Sequence, residues 1–145
     1  MTELAKKKRP EYRNINVFTD VRTYRLPAAG IVSILHRVSG VIMFLLLPFI
    51  IWMFDKSLSS ELSFETFKAA FNVGIGFVPG FIVKLVTLAI IWAYLHHLCA
   101  GLRHLFMDVN HASVNKEFGK SSAVTVLVIS VVLTVVLGAK LFGLY

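Results

Sequence analysis

A single cysteine, Cys99, occurs in the 145 residues, so neither an internal disulfide nor a multi-thiolate metal centre can form within the chain. Its expected role is that of a small buried apolar side chain. Charge is scarce too, at 16% of residues against about a quarter in soluble domains. No His-Glu-x-x-His zinc motif, carboxylate cluster or nucleophile–base–acid set occurs, which argues against zinc, di-iron and hydrolytic chemistry. The polar, basic first 25 or so residues hold no short apolar core, so no cleavable signal peptide is expected. No internal repeat or low-complexity segment stands out.

What the chain has is apolar surface: 57% hydrophobic residues and a mean hydropathy of +0.74. That balance points to lipid as the main solvent. A membrane span needs about 20 mostly apolar residues, and three stretches qualify, at about 30–54, 80–107 and 122–142. Unpaired backbone groups are prohibitive in hydrocarbon, so all three are predicted to be helices. Pro48, late in the first, predicts a kink. The fold class expected is an all-α membrane protein with three transmembrane helices. Residues 1–29 form a basic tail and 30–145 a three-helix anchor domain.

Seven of the fifteen basic residues lie in that tail: Lys6, Lys7, Lys8, Arg9, Arg13, Arg22 and Arg25. By the positive-inside rule the N-terminus belongs in the cytoplasm, or in the matrix of an organelle. The first connection, 55–79, sets Lys56 and Lys68 against Asp55, Glu61 and Glu65 and belongs outside. Lys116, Lys120 and Arg103 bring the second connection back inside, leaving the C-terminus outside. The net charge of +7 therefore reads as topology and as contact with anionic lipid, and nucleic acid is not an expected partner. In the outer connection, Phe64, Phe67 and Phe71 fall at helical spacing with Ser63 available as N-cap, predicting a short amphipathic helix. It would lie on the membrane surface or pack against the span ends; the pattern suits both.

An ionisable group within a membrane helix costs about 2.5–3.5 kcal/mol on insertion scales, so it calls for a partner or a task. Two stretches carry such groups. In "SILHRVSG" (33–40), Ser33, Arg37 and Gly40 share one helix face, with His36 beside Arg37. Arg37 stands roughly 10 Å below the interface, close enough to snorkel to the head groups. Alternatively, the hydroxyl, imidazole and guanidinium converge on a carbonyl or carboxylate. In "HLCAGLRHLFMD" (97–108), His97, Gly101, His104 and Asp108 fall within about 40° of one another at 100° per residue. His96 and Arg103 point elsewhere. An imidazole followed by a glycine gap, with basic groups near the interface, suits a flat metal-bearing disc with acidic substituents. For His96, a hydrogen bond to a neighbouring helix is the expected role.

These two constellations, in this order and on these spans, resemble the cytochrome b membrane-anchor subunit of succinate dehydrogenase. Further matching pieces are Arg9-Pro10 and "YRLP" at 24–27, so the resemblance extends over nearly the whole chain. It implies haem b, with His97, the histidine four residues before the glycine, as axial ligand to the iron. A second small anchor subunit would supply the other ligand. His36, Arg37 and His104 match positions near the haem propionates, and Ser33 and Arg37 match positions lining a ubiquinone pocket on the cytoplasmic side. There Ser33 would hydrogen-bond the quinone, and Arg37 would polarise it or stabilise the charge of its one-electron-reduced form. A tyrosine found before the ligand in some relatives is His96 here, so no tyrosine role is carried over.

The resemblance further implies a flavoprotein and an iron–sulfur subunit as partners, and a bacterial inner membrane location. The chain has no flavin or iron–sulfur motif and no catalytic residue of its own, so its part in the enzyme would be anchorage, haem ligation and quinone binding. The competing readings are an anchor of another respiratory oxidoreductase and a non-haem scaffold or transporter subunit. Five histidines, mostly on one helix, argue against a two-haem anchor.

Overall fold

Three of the four prolines stand at helix beginnings in the computed structural model, which describes residues 16–111 and 114–145. Pro27 and Pro79 precede α2 (Ala28–Leu45) and α5 (Gly80–Val109), and Pro48 sits in the first turn of α3 (Leu47–Leu58). These are places where a missing amide proton costs nothing, since the first helical amides have no intrahelical acceptor. Lys6, Lys7, Lys8, Arg9, Arg13 and the Arg9-Pro10 pair lie outside the described residues. The tail's later part holds α1 (Val17–Thr23), capped by the Asn16 side chain, which accepts from the Phe18 amide at 3.0 Å.

Three helices, α2, α5 and α6 (Lys116–Leu141), are long and apolar enough to cross a membrane. At about 1.5 Å per residue, α5 and α6 exceed the roughly 30 Å of hydrocarbon. The first span, expected as one helix over 30–54, is two. Leu46 interrupts it at φ −91 and ψ 2, because Pro48 donates no hydrogen bond and its ring crowds the carbonyl four residues back. The third span's helix starts at Lys116 rather than 122, where Asn115 accepts from the Phe118 amide at 2.8 Å. The apolar run marks where lipid begins, whereas the cap marks where the helix begins.

The outer connection holds the expected helix, α4 (Glu61–Asn72), with a different cap. Ser60 is the N-cap, and Ser63 is its partner in a reciprocal capping box, with bonds of 3.1 and 2.8 Å. The helix packs against α3 and α5, buries Ala70 and lines up the rings of Phe64, Phe67 and Phe71. After it comes a tight hairpin, β1 (Gly74–Ile75) against β2 (Val78–Pro79), which hydropathy did not reveal. Gly74 and Gly76 turn at φ +119 and +58, and a Cβ on Gly74 would collide with the Val78 carbonyl.

The helices pack through small side chains, as membrane helices do when burial in lipid supplies no drive between them. Val32, Ala100, Ala123 and Val126 form the core, with half-buried Cys99 against it. A Cβ on Gly138 would lie 2.8 Å from Leu88 Cδ1, so α5 and α6 approach closely there. Phe81 meets Phe142 and Phe106 meets Phe118, which makes these two helices antiparallel. His36 lies against His97 and His104 from α2. The start of α2, the end of α5 and the start of α6 therefore share one end of the bundle, where Arg25, Lys116 and Lys120 are exposed.

A three-imidazole seam between two spans

Two helical turns of α2 and two of α5 build the seam. On α2, Val32, His36 and Ser39 fall at offsets of four and three and face inward; Val32 and Ser39 are fully buried. His36 stacks on His97 with ring centroids 4.1 Å apart and planes 19° from parallel. His104 lies 5.3 Å from the same ring, tilted by 52°. Two rings stacked in this way do not aim their lone pairs at a common point. Among the described residues no three His, Cys, Asp or Glu side chains converge to hold a bare metal ion.

The orientation of His97 follows from its Nδ1. That atom lies 3.0 Å from the main-chain carbonyl of His36 and 3.2 Å from the Ser39 hydroxyl oxygen. A carbonyl has no proton to give, so Nδ1 carries the proton and donates it. Ser39 in turn donates to the same His36 carbonyl at 2.8 Å, which leaves its oxygen free to share the imidazole proton. With Nδ1 protonated, Nε2 is the ring's lone-pair nitrogen, and no described residue binds it. This is how proteins prepare an imidazole for a metal: the far nitrogen is held by a carbonyl or hydroxyl and the near one is left basic.

Each of the two glycines faces an imidazole of the other helix. At Gly101, expected to leave room for a macrocycle, the nearest facing atom is His36 Nε2, 3.6 Å from where a Cβ would be. Gly40 is the glycine that admits His97: a Cβ there would lie 3.1 Å from its Cε1. His36 Nε2 is itself buried without a hydrogen-bond partner. A buried imidazole nitrogen in that condition suits an acidic group arriving from outside the chain.

Ser33 and Arg37 stand on the neighbouring stripe of α2. Ser33 is half-buried and Arg37 exposed, and neither side chain bonds to a described residue. Asp108 is exposed at the end of α5. Ser39 is the residue that sequence reasoning passed over. Its signal was available, since a serine three residues beyond a histidine on an apolar helix shares that histidine's face. His96 and Arg103, roughly 100° around α5 from the seam, serve the interface with α6. His96 is fully buried with Nδ1 3.3 Å from Ser130 Oγ, and Arg103 donates to Ser122 and to the Gly119 carbonyl.

Residues 6–137 match the protein family described as succinate dehydrogenase/fumarate reductase transmembrane subunit. Similar proteins include the succinate dehydrogenase cytochrome b556 subunits of three bacteria. The Coxiella burnetii protein is 32% identical over 119 residues, covering 82% of this chain and 90% of the relative. That of Rickettsia felis is 28% identical, covering 92% and 98%. That of Paracoccus denitrificans is 30% identical, covering 70% and 73%.

Proposed function

The chain belongs to the succinate dehydrogenase/fumarate reductase transmembrane subunit family, and on that premise we propose that it is the haem-binding, quinone-site anchor of a succinate:quinone oxidoreductase. The observation that carries the proposal is the pair of bonds on His97 Nδ1, which leave Nε2 as a directed donor for the iron. Haem b, when bound, supplies a one-electron redox centre inside the membrane. His36, His104 and Arg37 serve its propionates; the unpartnered Nε2 of His36 supports this. A companion anchor subunit would supply the other histidine.

Ser33 and Arg37 bind ubiquinone. Their lack of partners among the described residues supports the assignment, because an intramembrane arginine in that condition calls for a ligand or partner. Arg37 holds positive charge where a quinone oxygen gains negative charge, and Ser33 donates a hydrogen bond to the same ligand. Succinate is oxidised by a flavoprotein, and electrons reach this site through an iron–sulfur subunit docked at the basic end. That end, with Arg25, Lys116 and Lys120, faces the cytoplasm of a bacterial inner membrane.

The test is a reduced-minus-oxidised optical spectrum of membranes holding the assembled complex, with and without His97→Ala. The b-type signal disappears in the variant. A signal of unchanged size, with the subunit present in equal amount, removes the ligand assignment.

A further inference from the structure

Arg103 sits on the side of α5 away from the imidazole seam, and only 8% of it is exposed. Its Nε donates to Ser122 Oγ at 2.9 Å and one Nη2 proton to the Gly119 carbonyl at 3.2 Å. No described residue accepts from Nη1. Beside it lies a cavity of about 350 Å³ between α5 and α6, lined by Arg103, Ser121, Ser122, Phe106, Phe118 and Val126. The Ser121 hydroxyl also makes no bond to a described residue.

We propose that this cavity binds the head group of an anionic phospholipid. A buried guanidinium with donors to spare, next to a hydroxyl, matches phosphate oxygens in number and geometry. The aromatic and aliphatic wall is of no use to a free phosphate but suits the glycerol and first acyl carbons of a lipid. Depth agrees: Arg103 is six residues from Val109, where α5 ends, or roughly 9 Å along the helix axis. Charge agrees as well, since Lys116 and Lys120 with Arg103 exceed Glu117 and Asp108 at this end of the two helices. None of His36, His97, His104, Ser33 and Arg37 lines the cavity, so its occupant is distinct from haem and quinone.

The assembled complex, delipidated in mild detergent, is titrated with phosphatidylglycerol, phosphatidylcholine or inorganic phosphate, and bound lipid and thermal midpoint are measured. Phosphatidylglycerol is retained and raises the midpoint, while the other two leave it unchanged. Ser121→Phe fills the cavity without touching the bonds of Arg103 to α6 and lowers phosphatidylglycerol retention by about tenfold, as the loss of one charge-assisted contact would. Arg103→Gln does the same. Equal retention in wild type and Ser121→Phe overturns the proposal, whatever becomes of the Arg103 variant. So does an equal rise with phosphatidylcholine, which would make the site a general lipid groove, or with inorganic phosphate, which would make it an anion site.

Discussion

His97 and His36 belong to different membrane spans, yet the Nδ1–H of one donates to the main-chain carbonyl of the other over 3.0 Å. The bond ties the imidazole to backbone rather than to another side chain, so its direction is as rigid as α2 itself. It cannot be removed by substituting His36, because every residue brings the same carbonyl. What substitution can reach is the second partner, Ser39.

Ser39→Ala leaves the carbonyl bond and deletes the hydroxyl at 3.2 Å. Outer-shell partners of metal-bound histidines are typically worth about 10–100-fold in affinity when lost. Haem content per complex, assayed as the pyridine haemochrome, is expected to fall several-fold without vanishing, and the reduction potential to shift. His97→Ala abolishes the same signal. Identical spectra for Ser39→Ala and wild type would remove Ser39 from the site.

Gly40 tests the packing of the ring. A methyl there meets His97 Cε1 at 3.1 Å, so Gly40→Ala requires a shift of a few tenths of an ångström, against two hydrogen bonds that hold the imidazole in place. Gly40→Leu demands much more. Overpacking costs about 1–3 kcal/mol, so the leucine variant should lower the thermal midpoint of the complex and its haem content together. Alanine should give a smaller change of the same sign.

Ser33→Ala and Arg37→Leu touch no bond within the described chain, so each should change the subunit's stability by no more than about 0.5 kcal/mol. Quinone reduction by the complex is expected to fall in both, more steeply for Arg37→Leu. Succinate oxidation with an artificial soluble acceptor stays near wild type. Equal loss of the two activities would indicate failed assembly and remove the quinone assignment.

His96 provides the contrast with its neighbour. Its partner Ser130 is on α6, at 3.3 Å, and side-chain hydrogen bonds in membranes average about 0.6 kcal/mol. A double-mutant cycle of His96→Ala and Ser130→Ala should give a coupling of about that size in thermal or denaturant unfolding. The b-type spectrum keeps its position in Ser130→Ala. A loss of haem there as severe as in His97→Ala would exchange the roles of the two histidines.

The three spans, and the separation of His97 from His96, were legible in the sequence alone. Both follow from quantities local to the chain: about 20 apolar residues make a span, and 100° per residue puts adjacent histidines on different faces. The helix in the outer connection was legible in the same way, from three phenylalanines at helical spacing, though its cap was placed at Ser63 rather than Ser60. Local patterns failed where lipid and helix boundaries differ, at Leu46 and at Lys116, and where glycines fold a hairpin too short for a hydropathy window.

What tertiary structure alone decided is which residue meets which across the seam. Ser39 and His97 are 58 positions apart, and His36 and His97 61. No helical period carries information over that distance, because it depends on the height and rotation at which two helices dock. Docking here is set by small side chains such as Ala100 and Ala123, which resemble any others in an apolar run. Thus the sequence by itself determined that an imidazole faces inward on the second span. The packing decided that a carbonyl and a serine hold its proton, that Gly40 gives the ring room, and that Nε2 is the nitrogen left without a described partner.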